Sequence, residues 1–472
     1  MARSLGHRRS GPVPRIQRAR WNEMHEGAWP HSRFNFQLEP LLMHVARSLA
    51  LLSAVLSPAR GVSQSQPLSP ARVTGEWTFV MDGDRQPQRV DLLVEGDTVR
   101  GRVYGQAFAG TLRGSRLTFA VGDYRWRGTL RGDTLTGWLG VGNDSSTWRA
   151  QRFVPPAAAR VFDHTPREYH RALSATVTPA LRLFPGDTVH TTTVDAGGWG
   201  RGAFGADGNK LSAGGNPLTG PFYVDGTVPG DVLAVTLHRV RLNRAWAFSG
   251  TSIIDNALEV EYASGRKGVD IDNKWILDTT TGTARLTTPP PALTGLRIPL
   301  TPFLGVVAVA PGDGVVPSSR DSGPFGGNME NAFLHEGTTI YLPVTELGAY
   351  LYIGDGHAAQ GAGELTGDAM ETTMDVTFSV HVQRWRFASV PRAENAQHIM
   401  SMGIGGSMDE AMRRATSDLA RWLETDYVLT SNEAAVVMGF AIVFDVPDLV
   451  MPGIGVSVRL PKSVLAGLTK RR

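Results

Sequence analysis

The chain has 472 residues, of which 54 are glycine, 29 proline and none cysteine. Lacking thiols, it can form no disulfide, no thiolate metal site and no cysteine nucleophile. Its formal charge of +3 is uneven: residues 1–63 hold nine arginines, no lysine and three glutamates, 9 − 3 = +6, so about −3 remains for the rest, and a nucleic-acid surface on the folded part is not expected.

A leader comes first. Met43-His44-Val45-Ala46-Arg47 reads as a short basic start, Ser48 to Leu56 as an apolar core, and Gly61-Val62-Ser63 as a small-residue cleavage site. Translation is therefore expected to begin at Met43, and export to the periplasm or the exterior to follow cleavage near Ser63. The alternative is a small amphipathic helix on a cytoplasmic protein. No run of 18 or more apolar residues predicts a membrane span in the mature chain.

Residues 72–154 form a small repeat-bearing unit. Gly96, Gly114 and Gly132 recur at equal spacing, each in a Gly-Asp or Gly-Ser turn between alternating apolar residues. That pattern predicts consecutive hairpins in a β-meander or small barrel. Trp77, Trp126, Trp138 and Trp148 are assigned to its core. Val154 to Ala159 reads as a linker.

From 160 to 472 the pattern is mainly β, predicting a larger sandwich-like domain with a few helices. Strand-like stretches include 181–195, 220–242, 296–310, 338–353 and 373–387. Ser407-Met408-Asp409-Glu410 predicts an N-cap, with a helix following to Tyr427, and Ser431-Asn432-Glu433 starts a second.

Chemistry concentrates where one strand ends. Gly354-Asp355-Gly356-His357-Ala358-Ala359-Gln360-Gly361-Ala362-Gly363-Glu364 gathers two carboxylates, an imidazole and a carboxamide on a glycine-rich stretch. These groups suit metal ligation or general acid–base work, although a solvated turn has the same composition. Asp195, after Thr191 and Thr193 on one face of a strand, is a further candidate carboxylate, whereas His190 projects the other way. Gly403 to Ser407 superficially matches a serine nucleophile loop, but Ser407 opens a helix and is assigned as a cap.

Three more phrases accompany that stretch: Asn216-Pro217-Leu218-Thr219-Gly220-Pro221-Phe222-Tyr223-Val224-Asp225-Gly226, Ile298 to Gly305, and Gly323-Pro324-Phe325-Gly326-Gly327-Asn328-Met329-Glu330-Asn331. In this combination residues 165–465 resemble the acetamidase/formamidase family, which hydrolyses short amides to carboxylate and ammonia. The resemblance implies a small-molecule amide substrate and a possible homo-oligomer. It covers neither the leader nor the small β unit. The chain departs from the family at Ala362, where an acid is common, and at Thr366-Gly367, where a Cys-Gly pair is common.

With no cysteine, water is the nucleophile to activate. A divalent metal, zinc first, held by Asp195, Asp355 and His357 would supply it. Asp355, His357 and Glu364 are the catalytic assignments, Glu364 as general base. Asn328, Gln360 and Asn216 are expected to orient the substrate. A metal-free alternative pairs Asp355 and Glu364 as base and acid. An alternative of another class is a secreted, non-catalytic binding protein with a vestigial amidase-like domain.

Overall fold

The computed structural model describes residues 73–470, except 83–86, 104–105, 385 and 452. The leader lies outside the described residues.

Eight antiparallel strands, from Gly75–Met81 to Asp144–Arg152, run up and down and close into a barrel, the last strand pairing with the first. The repeated glycines make the turns: Gly96, Gly114 and Gly132 have φ of 60°, 57° and 60°, a conformation that strains other residues. Inside, Phe108 stacks on Phe119 at 4.0 Å, Phe119 on Trp126 at 5.2 Å, and Phe79 on Trp148 at 4.9 Å. The interior is a packed core rather than a binding cup. Trp77, Trp126 and Trp148 belong to it, but Trp138 does not. It stands outside, 40% exposed, beneath the Arg127 guanidinium. Strand alternation decides this, because Leu135 and Leu139 take the inward parity.

After the barrel come an eleven-stranded and a nine-stranded sheet. At the centre of the second, Val232–Leu242 pairs with Thr339–Pro343 and Met374–Gln383. Its Leu233, Val235 and Leu237 share one buried cluster with Leu304, Val307 and Ile353 of the first sheet, giving the sandwich core. The Met408–Asp426 helix is capped by Ser407, whose Oγ accepts from the Glu410 N–H. Its Ala415, Leu419 and Leu423 pack on Ile399, Val458 and Leu460 of the nine-stranded sheet. A second helix, Ser431–Ala441, starts with a capping box between Thr430 and Glu433. Among the described residues, no helix is long and apolar enough to cross a membrane.

One strand positions the chemistry. Leu351–His357 is buried along its whole length, lies beside Phe303–Val309, and meets Glu371–Thr372 at its His357 end. The pairings Leu304↔Gly356 and Val306↔Gly354 set Gly305 across from Asp355. A Cβ on Gly305 would lie 2.6 Å from Asp355 Oδ2 and 3.0 Å from both Glu330 carboxylate oxygens. Only glycine leaves the space in which these two acids meet.

Candidate active site

The site is built on strained backbone. Asn216, Glu330, Asp355 and Glu364 all adopt positive φ, between 47° and 62°. Non-glycine residues rarely do so, and such strain is characteristic of functional sites. Here it turns four polar side chains off the sheet and loop surfaces toward one point.

At that point sits His357, fully buried, with Phe303 edge-on at 5.0 Å. Its Nδ1 lies 2.8 Å from Gln360 Oε1. The Gln360 amide is oriented by its own Nε2, which donates to the backbone carbonyls of Glu330 (3.0 Å) and Pro447 (3.2 Å). The His357 Nδ1 proton is therefore held by Gln360, and Nε2 is the nitrogen free for other work. That Nε2 faces Glu371 Oε1 at 3.1 Å and Asp355 Oδ1 at 3.4 Å. Glu330 approaches the ring from the other nitrogen, at 3.3 Å.

The charge balance is lopsided. Glu330, Asp355, Glu364 and Glu371 are buried around a single imidazole. Burial and neighbouring carboxylates push Glu364 up to about 9 and Glu371 up to about 8. Burial likewise drives Glu330 well up, reinforced by Glu364, Asp355 and Glu371. Asp355 goes the other way: burial alone would raise it, but His357 and the Asn216 hydrogen bond hold it low. Burial alone would also lower His357, yet Glu371, Asp355 and Glu330 raise it well above the ordinary range.

Among these groups Glu330 Oε2, Asp355 Oδ1, His357 Nε2 and Glu371 Oε2 are buried without a hydrogen-bond partner. Each such atom costs roughly 1–3 kcal/mol if nothing satisfies it. Ligand atoms of Glu330, Asp355 and His357 lie within 4.8 Å of one another, and so do those of His357, Glu364 and Glu371. A cation bound in either triad would satisfy orphaned atoms there and offset part of the excess negative charge. The residues present therefore fit a metal ion, with Gln360 fixing the imidazole from behind.

Above the cluster opens a cavity of about 350 Å³. Asn216, Asn328, Glu330, Asp355, Glu364 and Glu371 line its floor, with Phe248 and Met451 among the apolar wall residues. Asn216 donates through Nδ2 to Asn328 Oδ1 (2.7 Å) and to Asp355 Oδ2 (3.0 Å).

Residues 316–402, which hold Asn328 through Glu371, match the sequence profile of the Acetamidase/Formamidase family. Over that stretch the chain is similar to the acetamidase/formamidase family. Solved structures agree. An acetamidase from Yersinia enterocolitica is 26% identical over 66% of this chain and 94% of its own, with a TM-score of 0.55. An acetamidase from Bacillus halodurans is 25% identical over 65% of this chain and 99% of its own, at 0.54. An acetamidase/formamidase from Thermoanaerobacter tengcongensis, 23% identical over 66% of this chain and 98% of its own, shares the fold at 0.54. No curated protein matches the chain. The profile and these structures together suggest an amidase-type hydrolase.

At this site the sequence assignments divide. Asp355, His357 and Glu364 come together, and Asn216 and Asn328 line the same cavity. Asp195 does not join the metal-capable group. Its Oδ2 is paired with Arg244 at 2.6 Å, and its Oδ1 accepts from the Trp199 N–H. Arg244 compensates the buried carboxylate, so it serves to hold the 195–199 turn. Gln360 does not face the substrate space either, because all its polar atoms are spent on His357 and two carbonyls. Its part is to orient the imidazole. Two acids were not assigned from sequence, Glu330 and Glu371. Glu330 follows the Gly-Gly-Asn-Met phrase and could have been read from it. Glu371 reaches His357 only through cross-strand pairing, which no local motif signals.

Proposed function

We propose that this site hydrolyses linear primary amides, R–CO–NH2 + H2O → R–COO⁻ + NH4⁺, with the help of one divalent cation. The supporting observation is that orphaned, buried ligand atoms of Glu330, Asp355, His357 and Glu371 belong to two metal-capable triads that share His357. A donor set of one imidazole and several carboxylates suits zinc first. When bound, the ion polarises the amide carbonyl and lowers the pKa of water.

The chain's own residues do the rest. The Asn216 hydrogen bond fixes Asn328 Oδ1 as an acceptor, leaving Asn328 Nδ2 free to donate to the substrate carbonyl oxygen, where charge develops. The unpartnered Asn216 Oδ1 can accept from the substrate NH2. Glu364 keeps one oxygen on the Ala369 N–H (2.9 Å) and lines the cavity with the rest of its carboxyl. It takes a proton from the attacking water and returns it to the departing nitrogen. A carboxyl pushed up to about 9 is protonated at neutral pH and suited to donate to the departing nitrogen; the charge of a bound cation would lower it toward the basic form that the water step needs. The phenylalanine and methionine of the cavity wall limit water around the scissile bond.

Purified protein should release ammonia from formamide, acetamide or longer amides and contain close to one divalent ion per chain. Exhaustive chelation should remove both ion and turnover, and His357→Ala should lose the ion. Turnover that survives chelation would replace this reading with the Asp355–Glu364 acid–base pair. A folded protein that cleaves no amide would replace it with a binding role.

A further inference from the structure

The cavity is larger than the smallest amides need. At roughly 30 Å³ per water-sized group, about 350 Å³ exceeds a molecule such as acetamide, with its four heavy atoms. The surplus space is not apolar. Its mouth carries two cations, Lys210 and Arg320, with Asp368 the carboxylate beside them. Floor and mouth are thus oppositely biased: carboxylates below, an excess of basic groups above.

Both cations sit on braced backbone. Lys210 bridges to Trp199, its ammonium bonds the Gly197 carbonyl and lies 4.7 Å over the Trp199 ring. That spends one of three ammonium hydrogens and leaves the others for a ligand. Arg320 stands in the turn 318–321. Ser319 in that turn is fully buried and donates through Oγ to the Gly215 carbonyl (3.2 Å), next to Asn216. The Asp321 carbonyl in turn accepts from the Asn328 N–H at 3.1 Å. The backbone carrying Arg320 is therefore tied on both sides to the two asparagines of the floor. Its guanidinium makes no hydrogen bond or ion pair among the described residues. A planar fork with unspent donors at the entrance of the cleft suits a carboxylate, and Lys210 adds a second positive charge nearby.

We propose that Lys210 and Arg320 form a carboxylate-recognition subsite, and that the preferred substrates are primary amides bearing a second, anionic end: monoamides of short dicarboxylic acids. This rests on the amidase reading above and narrows it. The reaction is ⁻OOC–R–CO–NH2 + H2O → ⁻OOC–R–COO⁻ + NH4⁺. The C–N bond breaks, one C–O bond forms, and the water protons go to the departing nitrogen. The distal carboxylate stays at the mouth while the amide reaches Asn328.

The test compares kcat/KM for succinamate with that for butanamide, its neutral counterpart, in the full chain. Succinamate should be favoured by about tenfold or more, as expected for charge-assisted hydrogen bonds. Arg320→Ala and Lys210→Ala should each shrink that ratio several-fold, mainly through KM for succinamate, and Arg320→Lys should retain part of it. High salt should shrink the ratio too, because the mouth is exposed. A ratio near or below one, or one that neither variant moves, with butanamide still hydrolysed, would overturn the subsite and leave the amidase reading standing. Failure to hydrolyse any amide would overturn both.

Discussion

At the scale of the residue, the environment of Glu364 makes the sharpest claim about turnover. Burial pushes its carboxyl up to about 9, the Ala369 N–H fixes one oxygen, and the group lines the cavity. Glu364→Gln keeps the shape and the N–H contact but cannot carry a proton. General acid–base groups typically contribute about 10²–10⁴-fold. The expected loss in kcat is of that order, with the bound ion retained because His357, Asp355, Glu330 and Glu371 remain. A variant that keeps more than about a tenth of native kcat would remove Glu364 from the proton path. Asp187 offers a contrasting carboxylate, remote in role and tied to stability. Burial alone would raise its pKa, but Arg160 and the N–H groups of Phe184 and Arg160 hold it below the usual range. A depressed folded pKa stabilises above the unfolded value, near 3.9, and is lost as pH falls through the folded one. The stability gap between native protein and Asp187→Asn should therefore be full at neutral pH and shrink below about pH 4. A gap that persists unchanged into acid would show that the carboxylate charge is not what matters. Residue identities in the Asp355–Glu364 stretch were legible because a strand end, an imidazole and acids fall together in sequence. The place of Glu371 beside His357 and the pairing of Asp195 with Arg244 were not, because those partners are brought together from distant segments.

At the scale of the element, the long helix shows how a buried charge can anchor one layer on another. Asp418, fully buried on Met408–Asp426, accepts from Arg392 Nε (2.6 Å) and Nη2 (3.1 Å) and from Ser401 Oγ (2.9 Å) on the sheet beneath. Removing one partner of such a pair strands the other and costs about 3–5 kcal/mol. Asp418→Ala should lower the unfolding free energy, read from urea titration, by about that amount. A loss near 1 kcal/mol, the level of an exposed pair, would mean that the network contributes little. The helix itself was readable in advance through Ser407 and the acids after it, because capping is local chemistry. The barrel turns were readable for the same reason: positive φ at Gly96, Gly114 and Gly132 demands glycine within the hairpin itself. Gly305 was opaque. Nothing about its own neighbours in sequence calls for glycine, since the demand comes from Asp355 and Glu330 arriving across the sheet. Trp138 shows a second limit, where the parity set by Leu135 and Leu139 outweighs the usual preference of tryptophan for interiors.

At the scale of the whole molecule, the barrel is held to the sandwich by buried charge rather than by a loose tether. Arg89, on the second barrel strand and almost fully buried, bonds Glu76 Oε1 at 2.7 Å within the barrel. Its other guanidinium nitrogens reach Asp231 and the Gly226 carbonyl of the sandwich. Arg384 of the sandwich returns the contact by pairing with Glu76. Phe153, just past the barrel, lies against Gly226, where any Cβ would meet its ring at 2.3 Å. Loss of Arg89 leaves Asp231 and Glu76 in a dry interface with fewer partners, although Glu76 keeps Arg384. The cost is then expected at the lower end of the range for breaking a buried pair, about 3 kcal/mol. More diagnostic is cooperativity. A docked barrel melts with the sandwich, while an uncoupled one becomes a unit of its own. Calorimetry of the native chain should give one transition for barrel and sandwich together, and Arg89→Met should split it, with the smaller enthalpy at the lower temperature. Two transitions already present in the native protein would mean that the interface does not couple the units. A single transition in both would mean that Phe153 and Arg384 suffice, and that Arg89 is dispensable for docking.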